Sequence, residues 1–168
     1  GVIFIEVLMI KANNHVYRSA TEFLSLCELA EKQSVEISSF HYAYNANLAF
    51  SIELYLKSIN ASSRTKLTCE VGDAKLYKDF SEVYIKKHEL YVVFTKLQTQ
   101  VQYQLCKAFS KHQCNISCRS LKEVLKVLDN VFVDSRYSFE NGGNFLGNDP
   151  ELLLWTARFF KETLKPVK

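Results

Sequence analysis

Glycine and proline are scarce in this chain, with five Gly and two Pro among 168 residues. Turn-rich β folds need both types, because Gly adopts the positive φ angles of tight turns and Pro interrupts strands. Their scarcity therefore favours helices. A charge excess is missing too, since 21 basic residues face 18 acidic ones. Net charge alone therefore gives no argument for nucleic-acid binding.

We also expect neither a membrane-spanning run nor a secretory leader. The apolar stretch at residues 1–10 contains Glu6, lacks a basic start and has about half the length that spans a bilayer. We expect no membrane association and interpret the stretch as a short strand or helix start. Five cysteines without a secretory segment argue against a disulfide framework and for a cytoplasmic protein with reduced thiols.

Apolar residues are plentiful enough for one full core. They make up 48% of the chain and include 12 Phe and 9 Tyr. A chain of this length fits one domain of ordinary size. We therefore predict a single domain over residues 1–168.

Apolar side chains recur at spacings of three and four along most of the chain, which is the helical period. The longest such stretch is FHYAYNANLAFSIELYLKSIN at residues 40–60, which predicts a central helix that begins near Ser34. Five further helices are predicted, at residues 15–32, 88–97, 99–111, 121–140 and 150–165. Asp149 and Pro150 are typical of a helix start, and the Gly pair at residues 142–143 is typical of a helix end. The prediction is an all-α fold, a helical bundle of about five to six helices with an up-down core.

The helical period is lost between residues 60 and 87. Clusters of Ser, Thr, Gly and Asp predict an irregular excursion there, with a hairpin around Val71-Gly72-Asp73 as an alternative. The segment is the most basic part of the chain and contains Arg64, Lys66, Lys75, Lys78, Lys86 and Lys87. We interpret these charges as a solvated surface, and a ligand-binding patch is the alternative.

Two charged residues interrupt the apolar central helix. Glu53 and Lys57 are four residues apart, so they share a helix face and can pair. A lone buried carboxylate would cost roughly several kcal/mol, which predicts that Glu53 is either paired or functional. Arg136 is a candidate partner, because a guanidinium binds a carboxylate through two parallel hydrogen bonds. Arg136 can also pair with Glu140, four residues further on.

Three segments resemble the HEPN superfamily, whose members are small α-helical domains of prokaryotic defence, toxin–antitoxin and stress systems. They are NANLAFSIELYLKSI, KKHELYVVFTKL and VFVDSRYSFEN. The shared features are an inward Glu followed by Lys, a His-acid-Leu helix start, and a late helix that ends in Arg-Tyr-x-aromatic-Glu. The resemblance covers most of residues 40–141. It implies the HEPN-like fold, a homodimer, RNA or nucleotide binding, and an antitoxin as a protein partner.

Many HEPN proteins are metal-independent RNases, with an Arg followed by His four to six residues later. No His follows Arg136 at that distance. Attack by the RNA 2′-hydroxyl needs a proton acceptor with a pKa near neutral, which His supplies best. The resemblance therefore implies RNA or nucleotide binding without efficient nuclease activity. If the chain is an enzyme, it is a metal-independent endoribonuclease with Arg136 and His88 as candidate catalytic residues.

The predicted ligand-binding site consists of Glu53, Lys57, His88, Arg136, Tyr137 and Glu140. The functional interpretation is a polar pocket for a phosphate or nucleotide, and the structural one is a buried salt-bridge network between helices. His88 has two interpretations of its own, as a residue that caps a helix or as the general base missing from the late helix.

Two further groups of residues have simpler interpretations. Cys106, His112, Cys114 and Cys118 are residue types that bind zinc, but their spacing matches no common zinc finger. We interpret them as core residues and predict no metal and no cofactor. The aromatic stretch WTARFF at residues 155–160 predicts either one large core or a surface for a protein partner. The second possibility makes a non-catalytic protein-interaction module the alternative function.

Overall fold

Seven helices and four strands form the part of the chain that the computed structural model describes, which is residues 9–33, 40–113, 115, 118–140 and 149–167. In chain order they are β1 (Ile10–Asn13), α1 (Asn14–Lys32), α2 (His41–Ile59), β2 (Ala61–Val71), β3 (Ala74–Val83), α3 (Leu90–Thr95), α4 (Thr99–Lys111), α5 (Leu121–Val127), α6 (Val131–Arg136), α7 (Pro150–Thr163) and β4 (Leu164–Val167).

The fold is mixed α/β, so the all-α prediction was wrong. Helices contain 59% and strands 20% of the described residues. The strands form two small sheets: β1 pairs in parallel with β4, and β2 pairs antiparallel with β3. Strands β1 and β4 have only four residues each, which is too short for a reliable alternating pattern. Their partners lie at opposite ends of the chain, so local sequence could not reveal the pairing.

Helices α1 and α2 lie antiparallel at the centre of the molecule. Their contacts run in opposite directions along the two helices, in the pairs Cys27–Tyr44, Phe23–Phe50 and Tyr17–Tyr55. Helix α2 also packs on α3, α6, α7 and β1. Eleven of its 19 residues are buried, which confirms the prediction of a central helix. The predicted start of this helix near Ser34 lies outside the described residues.

The long helix predicted at residues 121–140 is two short helices, α5 and α6. They are separated at residues 128–130. In this break, the Asp129 carboxylate accepts a hydrogen bond of 2.6 Å from the backbone N–H of Tyr91 in the first turn of α3. The backbone N–H groups in the first turn of a helix have no partner within that helix. Asp129 supplies such a partner for α3. The helix end predicted at residues 141–144 lies outside the part of the chain that is described.

Helix α7 begins as predicted, with Asp149 as its cap and Pro150 in its first turn. The Asp149 side chain accepts a hydrogen bond from the backbone N–H of Leu152 at 3.0 Å. The helix ends at Thr163, and the chain continues directly into β4. The helix is therefore two residues shorter than predicted, because Leu164 and Lys165 pair with β1.

Residues 61–83 form a regular β-hairpin, in place of an irregular excursion. Its turn falls at Gly72-Asp73, where the alternative prediction put it. Gly72 has a φ of 60°, a left-handed conformation that Gly adopts without steric cost. A bulge lies between Leu67 and Cys69. Most residues of this hairpin are exposed.

None of the helices in the described ranges is both long and apolar enough to cross a bilayer.

Candidate functional site

A buried ion pair on α2 forms the floor of the candidate site. The Lys57 Nζ donates a hydrogen bond of 2.6 Å to the Glu53 Oε1. Glu53 is only 1% exposed and Lys57 is 7% exposed. The two residues pair as their spacing predicted, because positions i and i+4 lie on one helix face.

The side chain of His88 contacts the same carboxylate from the segment that precedes α3. Its Nδ1 lies 3.1 Å from the Glu53 Oε1 and 3.3 Å from Oε2. In the tautomer that carries a proton on Nδ1, the ring donates to Glu53 and leaves Nε2 as an acceptor. The His88 side chain is 52% exposed. A buried carboxylate therefore orients an imidazole that solvent can reach.

The His88 side chain does not cap a helix. The residue before α3 is Glu89, and its carboxylate accepts a hydrogen bond of 3.2 Å from the backbone N–H of His88. Backbone donors of Glu89 and His88 hold the pKa of the Glu89 carboxyl below its usual value. The capping interpretation of His88 is therefore wrong, and its bond to Glu53 is what positions it.

The Phe132 ring connects His88 with Arg136. The ring centroids of His88 and Phe132 are 5.7 Å apart, and the guanidinium carbon of Arg136 lies 5.1 Å from the centroid of Phe132. Phe50 stacks on Phe132 at 5.0 Å and fixes its ring. Phe132 and Phe50 were not among the predicted site residues, although the spacing of Phe132 and Arg136 by four residues was a usable signal.

The structure does not pair Arg136 with either carboxylate that we proposed. Within the described ranges, no ion pair joins Arg136 to Glu53 or to Glu140. The Glu53 oxygens contact Lys57 and His88 instead. Arg136 is the last residue of α6, so Glu140 lies beyond the helix and the i, i+4 geometry does not apply. Among the described residues, the guanidinium of Arg136 lies against two aromatic rings, those of Phe132 and of Tyr137, whose centroid is 5.4 Å away.

Two exposed aromatic side chains follow Arg136. Tyr137 and Phe139 have ring centroids 6.4 Å apart in an edge-to-face arrangement, and Phe139 is 77% exposed. Tyr137 was a predicted site residue, and Phe139 was not. Both rings lie within three residues of the exposed Arg136. The region around Arg136 is therefore both cationic and aromatic.

The cysteine and histidine group does not assemble in the residues whose placement is described. There, no three His, Cys, Asp or Glu side chains converge as metal ligands. Cys114 lies outside this part of the chain. Cys118 is exposed and Cys106 is partly buried. The His112 Nε2 lies 2.7 Å from a carboxylate oxygen of Glu162, a contact between the ends of α4 and α7.

The aromatic side chains of α7 belong mostly to the core. Phe159 and Phe160 are fully buried, and Phe159 packs against Phe109 of α4. Trp155 is partly exposed, and the Arg158 guanidinium lies 5.2 Å from the centre of its ring system. These rings therefore fill the chain's own core, which removes the main argument for a partner surface on α7.

Comparison of the chain with protein-family models, with curated proteins and with solved structures finds no significant match.

Proposed function

We propose that this protein binds RNA or a nucleotide at the surface formed by His88 and Arg136. One observation carries the proposal: the two side chains contact the same Phe132 ring, and both are exposed. Arg donates paired hydrogen bonds to phosphate oxygens, and a protonated His adds a further charged donor. Since Arg136 has no carboxylate partner among the described residues, its donors are available to a ligand.

The exposed rings of Tyr137 and Phe139 extend the same surface. Bases that are not paired stack on aromatic side chains, and proteins read single-stranded RNA largely in this way. A phosphate at Arg136 and a base on Phe139 are thus the contacts that we propose for one nucleotide. The buried Glu53–Lys57 pair holds the site in place and does not itself contact the ligand.

A second function, metal-independent RNA cleavage, is supported by the bond between Glu53 and His88. A carboxylate on Nδ1 orients the ring and selects the tautomer in which Nε2 can accept a proton. In this reaction Nε2 takes the proton from the 2′-hydroxyl, the 2′-oxygen bonds to phosphorus, and the bond to the 5′-oxygen breaks. Arg136 would stabilise the charge on the phosphate, and water would protonate the leaving oxygen. His88 would thus replace the His that the late helix lacks.

The biological setting rests on the HEPN resemblance alone. That resemblance is the reason to propose a role in defence or in a toxin–antitoxin system, with a homodimer and an antitoxin partner. The binding proposal above stands on the contacts of His88 and Arg136 and does not require this setting.

The test is RNA binding and cleavage by the wild type and by Arg136→Ala, in EDTA, with Arg18→Ala as the matched control. Arg18 is an exposed Arg on α1 that pairs with Glu22. We expect Arg136→Ala to weaken RNA binding at least about tenfold, because a charged hydrogen-bond donor contributes about 1.5–3 kcal/mol, and Arg18→Ala to bind as the wild type does. Equal binding by all three proteins, or no binding by the folded wild type, contradicts the proposal.

Cleavage is measured in the same samples and in His88→Gln. Product that appears in EDTA and disappears in His88→Gln supports the enzyme function. A protein that binds RNA and leaves it intact supports binding alone.

A further inference from the structure

The β2–β3 hairpin has two faces of different character. Successive side chains of a strand point to opposite sides, so alternate residues of β3 and their register partners on β2 share one face. We call one of these the outer face. It consists of Glu82, Phe80, Lys78, Leu76 and Ala74 of β3 with Ser62, Arg64, Lys66, Cys69 and Val71 of β2.

The opposite face is fixed to the body of the protein at its base. The Asn13 Nδ2 donates to the Ser63 Oγ at 3.1 Å, and the Ser81 Oγ donates to the Asn13 Oδ1 at 2.9 Å. Ser63 and Ser81 are register partners on that opposite face. Since Asn13 also caps α1, the base of the hairpin is tied to the helical body. The outer face therefore points away from Asn13.

Acidic and basic side chains are distributed unequally between the faces. Glu70 and Asp79 project from the face that carries Ser81, whereas the outer face has a single acid, Glu82. The Arg64 Nε lies 3.1 Å from a Glu82 carboxylate oxygen, so this acid is already paired. The unpaired charge on the outer face is therefore positive.

Lys66 and Lys78 lie directly opposite each other in the ladder. In the part of the chain that is described, neither has a carboxylate within ion-pair distance. Like charges at opposed positions destabilise a strand pair. A polyanion that lies across the outer face would neutralise both ammonium groups at once.

Aromatic rings alternate with these cations. Phe80 is 42% exposed and lies opposite Arg64. Tyr84, which follows β3, is 49% exposed. Its hydroxyl lies 2.7 Å from the Ser62 Oγ and accepts from the Arg64 Nη2 at 3.2 Å, which places it on the outer face. Cations and rings in alternation match the phosphates and unpaired bases of a single strand.

We propose that the outer face of the hairpin binds single-stranded RNA that continues from the His88–Arg136 site. This inference rests on the proposed function. The connection is short, because four residues lie between Val83 and His88, so the two Cα atoms are at most about 18 Å apart when this segment is extended. Two of them, Lys86 and Lys87, are exposed cations. One strand of RNA can therefore follow a continuous basic path from the site to the hairpin.

The experiment measures binding of a fluorescent oligoribonucleotide of about 12 nucleotides, and of a mononucleotide that is too short to reach the hairpin. The test variant is Lys66→Gln/Lys78→Gln. The matched control is Lys75→Gln/Lys107→Gln, which removes the same charge from the opposite face and from α4. Circular dichroism of each variant verifies folding.

We expect the test variant to bind the oligonucleotide at least about tenfold more weakly near 0.1 M salt, and the slope of log K against log salt to become shallower by about 1.4. Its mononucleotide affinity should equal that of the wild type. The control variant should keep the wild-type salt slope. Phe80→Leu, which keeps an apolar side chain and removes the ring, should weaken oligonucleotide binding about fivefold.

The other results separate this inference from the proposed function. An unchanged salt slope in Lys66→Gln/Lys78→Gln, with binding that Arg136→Ala abolishes, overturns the hairpin inference and leaves the proposed function standing. The reverse pattern supports the hairpin and contradicts the His88–Arg136 site. Polyglutamate that binds as tightly as RNA, together with an unaffected Phe80→Leu, identifies an acidic polypeptide as the ligand and overturns the RNA inference. No RNA binding by the wild type overturns both.

Discussion

The Nδ1 of His88 lies 3.1 Å from the Oε1 of Glu53, although the two residues are 35 positions apart in the chain. One partner is buried and the other is half exposed. The hairpin of residues 61–83 lies between them in sequence, so α2 and the segment before α3 are brought together by the fold. Through this contact the buried Glu53 carboxylate is hydrogen-bonded to a side chain that solvent reaches. The first two predictions concern these two residues.

Glu53→Gln should lower the free energy of unfolding by about 3–5 kcal/mol, because it leaves the Lys57 ammonium buried without its counter-charge. Urea unfolding at neutral pH measures the change. Glu22→Gln is the matched control. It removes an i, i+4 partner from an exposed pair with Arg18 and should cost less than about 1 kcal/mol. Similar small losses for both variants would show that the Glu53–Lys57 pair contributes little.

His88→Gln should separate function from stability. Its side chain is half exposed, so we expect the free energy of unfolding to change by less than about 1 kcal/mol. RNA binding should weaken, and any metal-independent cleavage should be lost, because Gln cannot exchange a proton near neutral pH. His15→Gln, at an exposed position on α1, is the control. A large loss of stability without a change in RNA binding would assign His88 a structural role.

Asp129→Ala should destabilise the protein by about 1–2 kcal/mol, since it removes the acceptor for the backbone N–H of Tyr91. The effect should concentrate in α3. Hydrogen exchange of the amides in residues 90–95 should therefore become faster relative to those of α2. Asp73→Ala, in the exposed turn of the hairpin, should leave both stability and exchange unchanged. An Asp129→Ala protein with wild-type exchange in α3 would contradict the assigned role.

The cysteines should differ sharply in reactivity. Burial, together with the nearby carboxylates of Glu31 and Glu28, raises the pKa of the Cys27 thiol to about 12. Thiolate is the nucleophile, so Cys27 should resist iodoacetamide at about pH 8. Cys69 and Cys118 are exposed and should be alkylated first. Mass spectrometry after alkylation of the native protein measures the order in which the cysteines react. Early modification of Cys27 would show that the α1–α2 contact opens readily.

The helices of the core were largely predictable from the sequence. A helix buries its apolar residues at a fixed period, so the pattern of α2 or α4 is visible without knowledge of its neighbours. The cap of α7 was equally local, because Asp149 bonds a backbone group three residues away. The pairing of Glu53 with Lys57 followed from helix geometry in the same way.

The sequence-based predictions were wrong where the local structure depends on residues that are distant in the chain. Strands β1 and β4 form because Ile10 pairs with Leu164, which is 154 positions away in the chain. Neither strand has a local pattern long enough to predict its own formation. The break between α5 and α6 depends on Tyr91 of another helix. Arg136 contacts Phe132 rather than Glu53 because Lys57 and His88 already contact that carboxylate.

The helical core, the Glu53–Lys57 pair and the turn at Gly72 follow from local sequence, since each depends on residues within about one or two helical turns or on one backbone conformation. Three features follow only from long-range packing: the mixed α/β fold, the contact of His88 with Glu53, and the Phe132 ring that Arg136 and His88 share. The contacts that create them join residues as far apart as 35 positions (Glu53 and His88) and 154 positions (Ile10 and Leu164). The position of Arg136 also depends on which side chains pair with Glu53. Their geometry is set by packing, which local periodicity does not encode.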